Sequence, residues 1–442
     1  MSKETRWLLS EIDRWTADEI ISPEQAGRLR QRYAAPVDGP PWGLLVFASA
    51  GALVIGLGVI LLFAYNWNEI PKWGKLALVF TAILGAHGAG LAYYRKSGWQ
   101  QRLGEAFLLL GTMFYGAGIW LVAQIYHIDE HYPNGFLIWA LGALVLAWVI
   151  QSMPHALLAT VLLAIWGGSE VFHFRDPNVW ALVLLAAGLV PLCWIKQSAL
   201  LLAFVLAAVE LILIANVASY GSSSHAFVTA LAVGVLLVAA ARLTAMIRPS
   251  FSAGAAVMAF FGFGGFFVCS YLLTFHDAAD DLLDWARRRG AQADLAAVHA
   301  WVMFVLAAGA WAWAAWLSFA RTARIAIEEW LLPIALVYAY GLAALGMGRA
   351  AYGGLIAATF NVILLGIAVM WMWRGCNESR LRPTVIGSLL LAAVVLARYF
   401  DLFQSLAARG LAFILLGAIF MAEAMYYRRN RRAASPAAEG VS

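Results

Sequence analysis

Residues 199–216 read ALLLAFVLAAVELILIAN, an apolar run broken inside only by Glu210 and closed by Asn216. As an α-helix the run is roughly 27 Å long at 1.5 Å per residue. The hydrocarbon core of a bilayer is about 30 Å thick. Residues 43–65 and 106–126 are built in the same way. Runs of this length recurring along one chain read as a series of membrane spans. The composition agrees: of 442 residues, 63% are hydrophobic and 12% charged. An ordinary soluble domain carries about 25% charged residues, so this chain lacks the polar cover that a large water-facing surface needs.

Outward from that stretch, the same criterion predicts an all-α, polytopic transmembrane helix bundle of about fourteen spans, with twelve as the lower bound. They are expected near 43–65, 76–94, 106–127, 135–151, 155–170, 179–195, 198–218, 226–244, 251–276, 299–320, 330–347, 353–373, 384–400 and 410–427. The pair at 135–151 and 155–170 is short and joined by Ser152-Met153-Pro154, a pattern that fits re-entrant or broken helices. Residues 1–42 instead read as a soluble helical hairpin and a Pro-rich linker. Trp7, Leu8, Ile12 and Trp15 recur at helical spacing. Ser22-Pro23-Glu24-Gln25 reads as a capping box that starts a second helix. Pro36, Gly39, Pro40 and Pro41 end it. The first apolar run begins only near Gly43, so no signal peptide is expected.

The net charge of +5 sits in short loops and in the tail at 428–442, not in a basic patch interleaved with aromatics. That excludes nucleic acid as the expected partner and points to topology determinants. With the N-terminus inside, inside segments hold 21 of the 30 Lys and Arg residues and outside segments hold 9. A bacterial cytoplasmic (inner) membrane protein with both termini cytoplasmic and a disordered basic tail is therefore expected. Arg287-Arg288-Arg289 resists by falling outside. With Asp277, Asp280, Asp281, Asp284 and Gly290 it reads as a dipole-compensated amphipathic helix over 277–296 on the outer surface.

Ionisable groups inside spans are functional candidates because they are costly there, although a helix–helix hydrogen bond is the simpler account of any one of them. The third span closes on Gln124, Tyr126, His127, Asp129, Glu130 and His131. His127 and His131 stand four apart, as two zinc ligands on one helical turn would, and His173 with Glu170 and Asp176 could complete a metal site. Ile128 occupies the place where the zinc-hydrolase pattern has Glu. Glu210 is the most expensive single group, and Arg398 with Asp401 forms a second polar cluster. His87, Asn216, Asn361 and Glu423 complete the set. Cys193, Cys269 and Cys376 are isolated and have no metal-ligand spacing. No phosphate-binding loop, nucleophile-elbow serine or HExxH is present. No cofactor is expected, and an enzyme is the less favoured class.

Four stretches carry a family resemblance. They are Ile21-Ser22-Pro23-Glu24-Gln25-Ala26; Asn66-Trp67-Asn68-Glu69-Ile70-Pro71; Gly116-Ala117-Gly118-Ile119 with Gln124-Ile125-Tyr126-His127-Ile128 and Trp139-Ala140-Leu141-Gly142; and Arg398-Tyr399-Phe400-Asp401-Leu402-Phe403 with Arg409-Gly410. In these the chain resembles the bacterial predicted membrane proteins of domain of unknown function 2157, over about the first 150 residues and again from about 380 onward. The resemblance implies no catalytic residue. It implies a complex with a smaller membrane-anchored partner protein, as some relatives have. Three functions are consistent with this reading: a transporter- or flippase-like protein, an envelope assembly or sensing module acting through a protein partner, and an intramembrane, metal-dependent enzyme. The first is preferred, because many spans, many glycines and polar groups at membrane depth suit alternating access.

Overall fold

The structure is a computed structural model that describes residues 3–33, 70–128, 131–219, 223–283, 291–344, 350–401 and 414–426. The expected first span at 43–65, the Pro-rich linker, Arg287-Arg288-Arg289 and the basic tail lie outside the described residues. All regular structure among the described residues is helical. The chain divides into two units, 1–78 and 79–442.

In the first unit, α1 (Lys3–Ala17) and α2 (Pro23–Tyr33) form the hairpin. The capping box is made in both directions. The Ser22 amide donates to Gln25 Oε1 at 2.9 Å, and the Gln25 amide donates to Ser22 Oγ at 3.2 Å, which satisfies two helix-end donors reciprocally. Ile12 and Ala26 are fully buried. Arg30 donates to Asp13 Oδ1 across the hairpin at 2.5 Å. Trp7, expected on the apolar stripe, is 60% exposed.

Next come α3 (Lys72–Tyr94), α4 (Trp99–Tyr126), α5 (Pro133–Val149) and α6 (Met153–Gly168). A π turn, Ser169–Phe174, continues α6. After it run α7 (Val179–Lys196), α8 (Ala199–Ser219), α9 (Ser223–Ile247) and α10 (Ser252–Leu272). The bundle closes with α11 (His276–Leu283), α12 (Ala291–Ala320), α13 (Ile327–Ala344), α14 (Ala350–Asn377), α15 (Leu381–Asp401) and α16 (Ile414–Tyr426). Nine helices among the described residues are long and apolar enough to cross a membrane. The boundaries follow local chemistry. Asn178 caps α7 by accepting from the Ala181 amide at 3.1 Å, and Gln197 ends it in the left-handed region at φ 49°. Residues 153–174 form one apolar segment of 22 residues, so the second half of the pair expected to be short is long enough to span. The π turn supplies the extra length.

Of the helix expected over 277–296, α11 is described as far as Leu283 and α12 from Ala291, and the positions between them lie outside the described residues. Ala279, Leu282 and Leu283 of α11 are buried in the bundle core.

Two large cores hold the bundle, with a smaller cluster of Ala368, Met372 and Leu391 between α14 and α15. One joins α5 to α8 through Leu163, Leu185, Leu189, Leu201 and Ile212. The other joins α9 to α14 around Phe266, Leu332, Tyr340 and Phe360. Helices α9 and α10 contribute to both. They cross where glycine faces glycine: a Cβ on Gly234 would lie 2.9 Å from the Gly262 carbonyl oxygen, and one on Gly262 would lie 2.9 Å from the Val238 amide nitrogen. Small residues let helix backbones meet, which matters in lipid, where van der Waals packing replaces the hydrophobic drive between helices. The outward surface is apolar, with Phe260, Val362, Leu389 and Val145 each more than half exposed. A water-soluble monomer rarely carries contiguous apolar surface of that extent.

Candidate functional sites

The first candidate site lies where α3, α4 and α5 diverge. A cleft of about 1130 Å³ runs along α4 from Tyr115 to its end at Tyr126, roughly 17 Å of helix, and on to Ile128. Its inner part is apolar, with Val79, Ile83, Ile119 and Ile138. Its polar groups gather at one end: Gln124, His127, His131, Tyr132 and Asn134. Sequence and fold produce this end together. Helix α4 stops at Tyr126 and His127 takes a left-handed cap at φ 54°, a conformation histidine adopts more readily than most side chains. The Ile128 amide then closes the turn on the Ala123 carbonyl at 2.9 Å. His127 and His131 therefore do not share a helical turn, and the i, i+4 zinc geometry is not formed.

His131 instead belongs to a carboxylate pair. Its Nε2 is 2.8 Å from each oxygen of Glu170, a buried residue on the π turn. The His131 ring packs on Phe174 at 4.1 Å between centroids, and Tyr132 packs on Phe174 at 5.5 Å. His173 meets Phe174 edge to face. Among the described residues no group of three His, Cys, Asp or Glu side chains is placed to hold a metal ion.

The second candidate site surrounds Glu210. It is a cavity of about 560 Å³ between α8, α9 and α10, whose walls include Phe227, Phe260, Phe261, Gly264 and Cys269. Glu210 Oε1 is buried and makes no hydrogen bond. The Cys269 thiol is occupied, donating to the Phe227 carbonyl at 3.3 Å.

Other expected residues have structural partners. His87 Nδ1 lies 2.9 Å from the Ile83 carbonyl. Asn216 accepts from the Asn178 amide at 2.7 Å and pins the start of α7 to α8. Asn361 donates to the Ala357 carbonyl at 2.7 Å, and Glu423 accepts from Ser388 at 2.6 Å. Arg398 and Asp401 fall in the last turns of α15, but their side chains lie outside the described residues.

Two polar sets were not read from the sequence. Arg242 on α9 donates to Ser318 Oγ at 2.7 Å, to Glu329 Oε2 at 2.6 Å and to the Arg324 carbonyl at 2.7 Å. Arg374 pairs with Glu328 beside it. Ser152 Oγ bridges Glu105 Oε1 at 2.5 Å and His155 Nδ1 at 2.8 Å, and both Ser152 and His155 are buried. The available signals were an arginine inside an apolar run and a histidine beside the Ser-Met-Pro junction.

Spanning helices, an apolar exterior and polar groups held inside the bundle define a polytopic helical membrane protein. Residues 13–156 match the family model described as Predicted membrane protein (DUF2157), as the N-terminal motifs anticipated. The match takes in every residue lining the cleft and the Ser152 and His155 pair. It leaves out the likeness seen from about residue 380, the Glu210 cavity and the Arg242 cluster. No curated protein and no solved structure matches the chain.

Proposed function

We propose that this chain is a transporter- or flippase-like protein that takes an amphiphilic substrate, such as a lipid, from the bilayer at the cleft along α4. The observation that carries the reading is the cleft's polarity gradient, with five polar side chains at one end and an apolar wall along the rest. A headgroup at Gln124, His127 and Asn134 would leave its chains against Val79, Ile83 and Ile119, so one molecule meets both parts. In this reading the chain sits in a bacterial inner membrane with both termini cytoplasmic and the polar end of the cleft facing outward. The gathering of Arg242, Arg248, Arg321 and Arg374 in hydrogen bonds at the opposite ends of the helices supports that orientation. The hairpin, with Trp7 outward, is then available to a smaller membrane-anchored partner.

The test is lipid movement in proteoliposomes, read by quenching a headgroup-labelled phospholipid with a membrane-impermeant reductant. The full chain should move the label faster than protein-free vesicles. The Gln124→Ala/His127→Ala variant should slow it by about tenfold or more if each lost hydrogen bond weakens headgroup binding by about 1 kcal/mol. A wild-type rate equal to that of empty vesicles, or an unaffected double variant, would overturn the proposal.

A further inference from the structure

Glu210 sits in surroundings that answer neither of its needs. Its helix is buried on other faces by Val205, Ala208, Ile212 and Leu213, and its buried Oε1 finds no donor. A carboxyl group in this position either keeps its proton or meets a cation, since a bare charge at membrane depth is disfavoured. Glu210 is the carboxyl group among the residues lining the cavity, and the remaining walls are almost wholly apolar. Phe227, Phe260 and Phe261 bring aromatic rings to the walls, and Phe260 and Phe261 stand edge to face at 5.5 Å. Ring faces attract cations, most strongly where water is excluded. At about 560 Å³ the space is of the size that holds a drug-like molecule. Phe260 is 73% exposed on the lipid-facing side, so a ligand can arrive from the hydrocarbon.

From these observations we infer that the cavity between α8, α9 and α10 binds a lipophilic monocation, with Glu210 as its counter-charge. Binding is an exchange. The carboxyl group gives one proton to water as one cation enters, and the cavity stays neutral. A site of this composition disfavours anions and strongly hydrated small cations, because it offers a single acidic group and no ring of neutral oxygen ligands. The inference does not rest on the reading of the α4 cleft, which lies on other helices.

The probe is tetraphenylphosphonium, with uncharged triphenylphosphine oxide as its neutral counterpart, and both are titrated into the full chain in detergent. Wild type should prefer the cation and release one proton per cation bound. Glu210→Gln keeps the cavity's shape, so it should bind the neutral probe as before and the cation about tenfold or more weaker, as loss of a close charge pair requires. Gly264→Leu supplies an independent arm. A Cβ at Gly264 meets nothing within 4 Å, so the larger side chain enters the open space and should abolish binding of both probes even if the Glu210 variant fails to fold. Equal wild-type affinity for the two probes, undiminished cation binding by Glu210→Gln, or full binding by Gly264→Leu would each overturn the inference.

Discussion

Removing Arg242 tests whether the bundle is held by a specific polar clamp or by packing alone. The guanidinium uses Nε, Nη1 and Nη2 on three separate acceptors, joining α9 to the end of α12, the loop after it and the start of α13. In Arg242→Met the stem volume is roughly retained and the charge is lost. Ser318 still donates to the Ala314 carbonyl at 2.6 Å, so its hydroxyl is not orphaned. The Arg324 carbonyl lies at an exposed end and can turn to water. The cost therefore falls on Glu329, which loses its counter-ion. Breaking a buried pair by removing one partner costs about 3–5 kcal/mol. The Arg242 and Glu329 side chains are 15% and 22% exposed, which places the expected loss at the lower end, about 3 kcal/mol. The assay is reversible unfolding of the full chain in mixed micelles by added SDS, run as a double-mutant cycle with Glu329→Gln. Neutralising Glu329 in the Arg242→Met background should recover about 2 kcal/mol, because the unpaired charge is then gone. If the two substitutions add to within about 0.5 kcal/mol, the pair is not coupled, and the clamp is a crystal-like contact without energetic weight.

Two further predictions use the same assay. At the α9–α10 crossing the obstacles to a Cβ on Gly262 are the Gly234 carbonyl and the Val238 amide, both backbone and unable to turn aside. Gly262→Ala should therefore be less stable than Gly264→Ala by about 1–3 kcal/mol, since both gain helix propensity and only the first meets an obstacle; equal stabilities would refute the close crossing. Ser152→Ala strips the half-buried Glu105 Oε1 and the buried His155 Nδ1 of their shared partner and should cost about 1–2 kcal/mol, mostly the penalty for the buried imidazole nitrogen. An unchanged unfolding midpoint would mean that water replaces the hydroxyl.

Helix positions were legible because apolar runs end where backbone caps can form. The runs expected at 179–195 and 198–218 became Val179–Lys196 and Ala199–Ser219, separated by a Gln-Ser pair in which Gln197 takes the left-handed cap. The capping box at Ser22 and Gln25 was legible for the same reason, since its partners are three residues apart. Partners distant in sequence were not. Arg242 lay unnoticed in an expected span, and its acid is 87 residues away. Glu170 answers His131 from 39 residues away. Zinc spacing at His127 and His131 failed because it assumed a helix that the left-handed cap at His127 had already ended. The cleft was illegible in principle, since its walls come from three helices whose divergence no local pattern records.

What separates the two kinds of polar residue in this bundle is saturation. Arg242, Asn216 and Ser152 each reach partners on another helix or at a helix start, and such groups fix helix positions at modest net gain. Removing any of them should change stability first. Glu328 and Glu423 each leave one buried oxygen unpaired but pair the other, whereas Glu210 has its unpaired oxygen on a residue that lines a cavity, and Gln124 and His127 face a cleft. A carboxyl group left unsatisfied at membrane depth lowers stability with no structural return, and beside a cavity it is the ground on which the cation site is inferred. Cost alone drew attention to Glu210 in the sequence, and by cost alone Arg242 ranks beside it. Only the partner inventory divides them: Arg242 is spent on three acceptors, and Glu210 Oε1 has no donor.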